Sequence, residues 1–324
     1  MSVPSAADVR VGIVSWNTAD LLDRCLRALP AALAPLTAEV VVVDNASTDD
    51  VAGVMATHPG VRFIRNDANE GYARAMNRAL AGTEAPVLIA LNPDTVPAPG
   101  SLSGLVAVLQ SDPHAAVVVP RLVNPDGTLQ HSVYRFPSPT VSAAASLPPL
   151  LRRGWVGRRF WLLGDAPHDA SGEVDWAVGA VHCIRAAAVD GDSAYSERWF
   201  MYVEDLDLCW RVRSAGWRVW FHRDVDVVHV GNAAGDQAWG PWRTARWVDA
   251  TYDWYALVHG RLAARGLALV SALAVALRLA SPGVRGEARR VQRQWLRLHG
   301  RKLVFGPRSP SAPQLVEAAP VVTG

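Results

Sequence analysis

The sequence predicts an α/β fold with a mostly parallel central sheet, followed by a C-terminal helical extension. Short, uniformly apolar segments recur in the first hundred residues, and stretches with helical spacing of apolar residues separate them. Strands that are apolar on both faces are typical of a parallel sheet that helices cover on both sides, because neither face meets water. Each segment also ends abruptly in polar turn residues. These strands are expected at 10–15, 40–43, 61–64 and 87–91.

The remaining elements of the first half follow from periodicity and turn residues. Apolar residues at helical spacing predict a first helix over 19–29 that ends at Pro30. The second helix is expected to begin at a cap formed by Ser47, Thr48 or Asp49. Further along, the pattern predicts helices over 73–81 and 101–110, a strand over 115–119 and a turn at 124–127.

The second half of the chain changes character. Residues 136–175 are rich in proline and irregular, and the arginine- and aromatic-rich stretch 152–161 is either a surface for a phosphate at an apolar boundary or a solvated loop. The elements expected beyond it are a strand over 176–184, a helix that starts at 200 and ends at 216, strands over 217–221 and 225–230, helices from 243, and a disordered end.

Composition excludes several classes of protein. A chain of 324 residues that is 50% hydrophobic can bury a full core, and a net charge of +2 gives no electrostatic case for binding nucleic acid. Three widely spaced cysteines argue against a disulfide framework or a zinc cluster and favour a reducing cytoplasm. The N-terminus has no basic segment followed by an apolar one, so no secretory signal is expected.

Contact with a membrane is expected to be peripheral at most. The longest apolar stretch, 266–277, is interrupted by Arg278 and falls short of the roughly 18 to 20 residues that span a bilayer. The arginines that follow indicate a basic helical tail, which either rests on an anionic membrane face or is a solvated surface. They are Arg289, Arg290, Arg293, Arg297 and Arg301.

The most informative of the polar strand ends is Asn92-Pro93-Asp94. Pro93 cannot continue a central strand, so Asp94 is placed at the carboxyl edge of the sheet, where open α/β sheets bind ligands. A carboxylate there can hold a divalent cation that carries a diphosphate, although the tripeptide is also a good turn on its own.

Two further strand ends could meet a nucleotide. Asp44 can accept the N3–H of a pyrimidine, and Ser15 and Asn17 lie on the neighbouring loop. Gly71 permits close backbone approach, and the helix after it offers its N-terminus to phosphate. Each cluster can also be read as local turn chemistry. The chain has neither G-x-G-x-x-G nor G-x-x-x-x-G-K-[ST], which disfavours a dinucleotide dehydrogenase and a P-loop NTPase.

The acids near residue 205 suggest acid–base chemistry. Asp207 and Arg211 share a helix face and can pair, and the helix dipole accounts for Glu204 as well as for Asp207. Asp205, aimed into a cleft, could act as general base on an acceptor hydroxyl. His229, at a strand end, is either a metal ligand or a structural histidine.

Motifs in this order and at this spacing resemble glycosyltransferase family 2, most closely its bacterial rhamnosyltransferase-like branch. The similarity covers about residues 9 to 260. The motifs are V-G-I-V-S-W-N at 11–17, V-V-V-D-N-A-S-T-D at 41–49, N-E-G-Y-A-R-A-M-N at 69–77, N-P-D at 92–94 and M-Y-V-E-D-L-D-L-C at 201–209.

The resemblance implies a nucleotide-sugar-binding fold of the GT-A type and an inverting, metal-assisted transfer. Asp94 and His229 would then hold Mg²⁺ or Mn²⁺, and Asp205 would deprotonate the acceptor. The other implied contacts are Ser15, Asn17, Asp44, Asn45, Asn69, Gly71 and Asn92 to the donor, and Trp176, Gly179 and Glu204 to the acceptor. Many relatives have an acid where this chain has Asn92.

The resulting prediction is a cytoplasmic enzyme, in peripheral contact with the membrane, that transfers rhamnose or another hexose from a dTDP- or UDP-sugar. The acceptor would be a hydroxyl of a cell-wall or polysaccharide precursor, glycan or lipid-linked. A non-catalytic nucleotide-sugar-binding protein and a sugar-phosphate nucleotidyltransferase are the alternatives. The predicted domains are a catalytic domain over 9–240, with its nucleotide-binding half at 9–120 and its acceptor half at 121–240, a helical extension over 241–304, and a tail over 305–324.

Overall fold

The structure is a computed structural model that describes residues 7–145, 147, 155–160, 168–190, 193–231, 243–280 and 283–307. Alternating strands and helices form the first half. They are β1 (Val9–Ser15), α1 (Ala19–Leu33), β2 (Ala38–Asp44), α2 (Val51–Ala56), β3 (Arg62–Arg65), α3 (Tyr72–Leu80), β4 (Val87–Leu91), β5 (Thr95–Pro97), α4 (Ser101–Ser111) and β6 (Ala115–Val123).

The second half has shorter strands and ends in three long helices. Its elements are β7 (Val133–Tyr134), α5 (Pro139–Ala145), α6 (Trp155–Phe160), β8 (Gly172–Val174), β9 (Trp176–Ala177), β10 (Val181–Arg185), α7 (Glu204–Ser214), β11 (Arg218–His229), α8 (Arg243–His259), α9 (Arg261–Ala280) and α10 (Gly286–Phe305).

Within the described ranges, nine strands form one mixed sheet in the order β3-β2-β1-β4-β10-β6-β11-β5, with β8 paired to β11. Strands β1 to β4 are mutually parallel. Strand β10 lies antiparallel between β4 and β6, and β11 runs parallel to β6. This confirms the predicted α/β fold with a mostly parallel central sheet and C-terminal helices.

Apolar side chains pack on both faces of this sheet. One cluster of the described residues includes Ile13, Leu22 and Leu105, beneath α1 and α4. The other joins sheet residues such as Phe221 to Trp254 of α8. The C-terminal helices therefore pack directly on the sheet domain. The exact domain boundaries remain a prediction.

The early helices depart from the sequence prediction at their ends. α1 continues through Pro30 to Leu33, because its buried face extends to Leu33 and outweighs the backbone hydrogen bond that proline cannot make. The cap of α2 is Asp50, whose carboxylate accepts from the backbone N–H of Gly53 at 2.9 Å. Asp49 instead accepts from the backbone N–H of Ala19, at the start of α1, at 2.7 Å.

The second half also differs in detail. The strand expected over 176–184 is split into β9 and β10 by residues 178–180, whereas the two strands expected over 217–230 form the single strand β11 with irregular pairing to β6. α7 begins at Glu204 rather than at residue 200, because Tyr202 and Val203 have positive φ angles. The tail predicted over 305–324 lies largely outside the described residues. Its first residue, Phe305, is the last residue of α10.

The prediction that the longest apolar stretch is too short to span a bilayer was wrong. α9 is a helix of 20 residues that is long and apolar enough to cross a membrane by length and composition, and 33% of its apolar window is buried inside the protein. The stretch is longer than expected because Arg261 and Arg278 lie near its ends and the helix continues through them.

Candidate active site

The topology brings the predicted site residues to one edge of the sheet. Strands β1, β2, β4 and β11 all point the same way, and the antiparallel strand β10 starts at that edge. The carboxyl ends of the parallel strands and the segment before β10 therefore meet there. The residues placed at this edge are Ser15, Asp44, Asn92, Asp94, Gly179 and His229.

Asp94 and His229 form a buried pair with a possible cation site between them. The backbone N–H of Val230 donates to the Asp94 carbonyl at 2.9 Å, and Asp94 Oδ1 lies 3.3 Å from His229 Nε2. His229 Nδ1 lies 2.6 Å from the Gln130 amide oxygen, so it carries the proton and leaves the Nε2 lone pair available. In the described part of the chain, Nε2 has no hydrogen-bond partner.

This donor set fits a divalent cation that a substrate helps to bind. Among the described residues no group of three or more His, Cys, Asp or Glu side chains could hold a metal ion. Mg²⁺ commonly uses one or two protein carboxylates together with substrate phosphates and water. One carboxylate and one imidazole match that pattern. The backbone N–H of Asn92 donates to the Ala180 carbonyl at 2.9 Å, which fixes the end of β4 against the segment before β10.

On the predicted nucleotide side, Asp44 is fully buried and keeps one oxygen without a hydrogen bond. Its Oδ1 accepts from the backbone N–H of Ser47 at 3.0 Å. Its Oδ2 finds no hydrogen-bond partner among the described residues, although Arg65 Nη1 is 3.5 Å away. A buried carboxylate oxygen without a hydrogen bond is unfavourable, so a donor such as a base N–H would stabilise it.

Several predicted donor residues organise the loops around this position. Asn17 Oδ1 accepts from the backbone N–H of Thr48 at 2.7 Å, and the Ser15 hydroxyl is 2.9 Å from that of Thr18. The Asn45 side chain makes four hydrogen bonds, the full capacity of an amide. Their partners are Asn66, Asn69, the Glu70 N–H and the Gly71 carbonyl. Direct contact of these residues with a donor stays a prediction.

A glycine is required at position 71 because the backbone of Phe200 lies too close to leave room for a side chain. The φ of Gly71 is +86°, and a Cβ there would lie 2.5 Å from the Phe200 carbonyl oxygen. The next N–H, of Tyr72, donates to that same oxygen at 2.8 Å. The close approach at Gly71 is thus made by the protein's own segment before α7, and contact of Gly71 with a donor stays a prediction. Gly71 thereby joins the loop before α3 to the turn that positions Asp205.

Asp205 is half-buried and is held by two backbone donors. Its Oδ2 accepts from the Gly179 N–H at 3.1 Å and its Oδ1 from the Leu206 N–H at 2.7 Å. Burial raises the pKa of Asp205 to about 6, and the two hydrogen bonds oppose that rise. Tyr202 and Val203 precede it in left-handed conformations that are strained for such residues. A carboxylate with this pKa is suited to general-base work.

Glu204 lies beside Asp205 but has a different character. It is 8% exposed, and its Oε2 has no hydrogen-bond partner in the described ranges. Burial and then the charge of Asp205 hold the pKa of Glu204 well above its usual value. Burial therefore favours the protonated form of Glu204, which can donate a hydrogen bond. Asp207 does pair with Arg211 as predicted, at 2.8 Å.

Tyr72 links the Asp205 side to the Asp94 side, and the sequence interpretation assigned it no role. Burial raises the pKa of Tyr72, and the charges of Glu204, Asp205 and Asp94 raise it further. Its hydroxyl lies 3.5 Å from the Gly179 carbonyl oxygen. The adjacent residues Gly179 and Ala180 contact both sides, since the Gly179 N–H donates to Asp205 at 3.1 Å and the Ala180 carbonyl accepts from the Asn92 N–H at 2.9 Å. Asp205 and the segment that carries Asp94 therefore lie on either side of one loop.

The loop that carries Gly179 is held at both ends. Ala177 O lies 3.2 Å from His182 Nε2, which must donate to a carbonyl, so Nδ1 accepts from the Tyr195 hydroxyl at 3.0 Å. Burial lowers the pKa of His182 to about 4, which keeps the ring neutral. At the other end, Ala180 accepts from Asn92. His182 is a second residue that the sequence did not identify.

A cleft of about 430 Å³ opens between α5, α6, α7 and α8, and its described lining includes Asp175, next to Trp176, but none of the predicted site residues. Trp176, predicted to border the acceptor, stacks on Tyr134 at 4.7 Å, and its indole N–H donates to the Arg135 carbonyl at 3.0 Å. The charge of Asp205 adds to the burial that raises the pKa of Tyr134 to about 12. The cleft is lined among others by Arg135, Phe136, Val141, Arg159, Phe160, Trp210 and Tyr255.

A sequence comparison with known families decides the identity. The family described as Glycosyl transferase family 2 matches residues 10–168. The chain belongs to glycosyl transferase family 2. The resemblance seen in the motifs is thereby confirmed, and this family 2 glycosyltransferase transfers a sugar from a nucleotide-sugar donor.

Two relatives of this family 2 glycosyltransferase are named for sugar transfer or for polysaccharide biosynthesis. The chain is 28% identical over 231 residues to an N-acetylglucosaminyl-diphospho-decaprenol L-rhamnosyltransferase of Mycobacterium tuberculosis, which covers 67% of this chain and 74% of that protein. A succinoglycan biosynthesis protein of Rhizobium meliloti is 38% identical over 112 residues, or 33% of this chain and 32% of that protein.

The fold agrees with a solved structure. A mannosyltransferase from Pyrobaculum calidifontis, in complex with GDP-Man and Mn²⁺, matches with a TM-score of 0.58 and 17% identity. The match covers 94% of this chain and 89% of that one. It confirms a GT-A-like architecture that includes the C-terminal helices.

Proposed function

We propose that this protein is an inverting, metal-assisted glycosyltransferase that uses a dTDP- or UDP-sugar, with a deoxyhexose such as rhamnose as the transferred sugar. The observation that carries the proposal is that the loop of Gly179 and Ala180 joins Asp205, a half-buried carboxylate, to the segment that carries Asp94. The relative named as an L-rhamnosyltransferase supports the choice of sugar.

Asp205 performs the proton transfer in this proposal. Its carboxylate takes the proton of an acceptor hydroxyl as that oxygen attacks the anomeric carbon of the donor sugar. The bond from the anomeric carbon to the diphosphate oxygen breaks on the opposite side, and the nucleoside diphosphate leaves. Burial favours the protonated forms of Glu204 and Tyr72, and in this proposal both donate hydrogen bonds to substrate oxygens.

Asp94 and His229 would hold Mg²⁺ or Mn²⁺ against the donor diphosphate. A bound cation would neutralise the negative charge that develops on the departing diphosphate. The protein prepares this site by fixing the His229 ring through Gln130 and by burying the Asp94 carboxylate. Asp44 would receive the pyrimidine N3–H through its oxygen that has no hydrogen bond.

The acceptor in this proposal is a lipid-linked precursor of a cell wall or polysaccharide. The cleft beside Trp176 combines aromatic walls with Arg135 and Arg159, as an amphiphile with a diphosphate requires. The relative from Mycobacterium tuberculosis is named for a diphospho-decaprenol acceptor. A cytoplasmic location is part of the proposal, since Cys25, Cys183 and Cys209 are free thiols.

A donor panel tests the proposal. dTDP-rhamnose, UDP-glucose, UDP-galactose and GDP-mannose are compared for nucleoside diphosphate release with Mg²⁺ or Mn²⁺ and with chelator. We expect dTDP-rhamnose to be used best and only in the presence of metal. Release of pyrophosphate would instead identify a nucleotidyltransferase, and binding without turnover of any donor and acceptor would identify a binding protein.

The variant Asp205→Asn tests the base. It should lower turnover roughly 10²- to 10⁴-fold, the usual contribution of a general base, while donor binding is retained. Asp224→Asn is the matched control, because that carboxylate is exposed and its loss should change neither quantity. Full turnover by the Asp205 variant would contradict the assignment.

A further inference from the structure

The outward face of α9 is apolar along most of its length. Four of its leucines are exposed, and Leu262 and Leu277 are exposed to 83% and 75%. They are spaced seven, four and four residues apart, which places them in one stripe of the helix. We call this stripe the leucine face; it consists of Leu262, Leu269, Leu273 and Leu277.

From residue 266 onward, the leucine face has none of the charge that keeps a helix face in water. Every exposed position of this described helix between 266 and 280 is apolar, and those positions are Gly266, Leu269, Leu273, Leu277 and Ala280. The opposite face is already used for packing, since residues such as Leu267, Ala268 and Val275 are buried. A contiguous exposed apolar surface of this kind marks a contact with a partner.

The charge around the leucine face indicates which partner. Residues 261–305 contain ten basic residues and one acid, Glu287, although the whole chain carries only +2. The basic charge is thus concentrated in the last two helices. Arg261 and Arg265 flank the leucine face on α9 itself. The exposed arginines of α10 are Arg289, Arg290, Arg293, Arg297 and Arg301.

We propose that the leucine face and these arginines dock the protein on the surface of an anionic lipid bilayer. An apolar stripe inserted at the boundary between headgroups and acyl chains, with arginines at the headgroups, is the arrangement of an interfacial helix. A nucleic acid would leave the four exposed leucines without an apolar partner, whereas a bilayer offers acyl chains to the leucines and headgroup phosphates to the arginines. The proposal is independent of which sugar the enzyme transfers.

The helix lies in the interface rather than across the bilayer, because its inner face remains bound to the protein. Its Ser271 hydroxyl is 2.9 Å from that of Ser142 in α5. Its neighbour α10 is held to α8 by buried Lys302, whose Nζ is 2.7 Å from Asp249 and 3.0 Å from Asp253. Crossing the bilayer would break this packing and leave those polar groups in hydrocarbon.

Flotation of the full chain with vesicles tests the proposal. Vesicles of equal parts phosphatidylcholine and phosphatidylglycerol should carry the protein, and vesicles of phosphatidylcholine alone should carry much less. Added salt should weaken the binding, because the arginine contribution is screened. Equal binding to both kinds of vesicle would remove the anionic part of the proposal.

Two sets of variants separate the contributions. Changing Leu269, Leu273 and Leu277 together to Gln should abolish flotation. Changing Arg289, Arg293 and Arg297 together to Gln should weaken it on the order of 100-fold at low salt, from ~1 kcal/mol per basic residue. The matched charge control changes Arg24, Arg27 and Arg62, exposed arginines of the sheet domain, to Gln and should bind as the unaltered protein does.

The leucine variant should keep its melting temperature and its hydrolysis of soluble donor, since none of the three side chains is buried. Unchanged flotation of this variant would overturn the proposal. Loss of a dimer in gel filtration, with flotation unchanged, would show that the leucine face joins two copies of the chain instead.

Discussion

Opposing effects on one carboxylate set the chemistry of Asp205. Burial disfavours its charged form, whereas the N–H groups of Gly179 and Leu206 favour it. The result is a pKa near 6, so most of the group is ionised at neutral pH while it remains a stronger base than an ordinary aspartate. The Gly179 donor depends on the absence of a side chain, because a Cβ there would lie 3.3 Å from the Asp205 Cβ.

The variant Gly179→Ala should shift the pH dependence of kcat/KM. The added methyl group pushes the loop away from Asp205 and weakens the Gly179 N–H donation, which stabilises the charged form. The pKa of Asp205 then rises, and the acidic limb of the profile should move to higher pH by about one unit. That shift corresponds to the ~1.5 kcal/mol typical of a hydrogen bond to a charged group.

Gly172→Ala is the matched control for this prediction, because a Cβ there meets nothing within 4 Å. Its profile should coincide with that of the unaltered enzyme. An acidic limb that stays in place in the Gly179 variant, with only a uniform loss of rate, would show that Asp205 does not titrate in that limb.

Sequence reasoning found the residues whose role follows from a local motif. Asp94 and Asp205 stand next to a strand end or a helix start, which can be recognised along the chain. Tyr72 and Gln130 were missed because their partners are distant in sequence. Tyr72 contacts Gly179 across 107 residues, and Gln130 contacts His229 across 99. No local pattern encodes such pairs, so only the fold reveals them.

At the scale of elements, the strands were predicted better than the helix ends. Uniformly apolar runs locate strands well, because burial on both faces leaves a continuous signal. Helix ends depend on tertiary contacts that override local signals, as in α1, where packing of Leu33 carries the helix past Pro30. Likewise, Asp49 supports α1 rather than α2 because β1 and β2 are neighbours in the sheet.

The hydrogen bond between Gln130, in the segment after β6, and His229, at the end of β11, should control metal affinity. Gln130→Met removes the oxygen that fixes the His229 ring, so Nε2 is no longer held toward Asp94. Loss of such a supporting hydrogen bond typically weakens metal binding 10- to 100-fold, that is, by about one to two orders of magnitude. The concentration of Mn²⁺ that gives half-maximal donor hydrolysis measures it.

Gln130→Glu serves as the conservative comparison, since it keeps an acceptor oxygen near His229 Nδ1. We expect its Mn²⁺ dependence to remain close to that of the unaltered enzyme. Equal Mn²⁺ dependence of the methionine variant would mean that His229 does not bind the metal.

At the scale of the whole molecule, the catalytic domain and the C-terminal helices share apolar packing. Trp254 of α8 is fully buried, with its ring centroid 5.5 Å from that of Trp210 in α7 and 6.3 Å from that of Phe136. Phe136 and Trp210 also line the cleft between α5, α6, α7 and α8. The predicted boundary near residue 240 therefore divides the chain without separating two cores. Helix α8, which directly precedes α9 and its leucine face, also lines the cleft through Tyr255 and His259.

Trp254→Ala should consequently destabilise the whole protein rather than its C-terminal part alone. Removal of a buried tryptophan leaves a large cavity and costs about 3–5 kcal/mol. Urea unfolding should show one transition at a lower midpoint, and far-UV circular dichroism and donor binding should report the same midpoint. Trp155→Ala, at a position that is 73% exposed, should change the free energy of unfolding by no more than ~0.5 kcal/mol. The Trp254 variant could instead lose helix signal in an early step while donor binding persists to the original midpoint. That result would mean that residues 241–304 form an independent folding unit and that the shared packing does not couple them to the site.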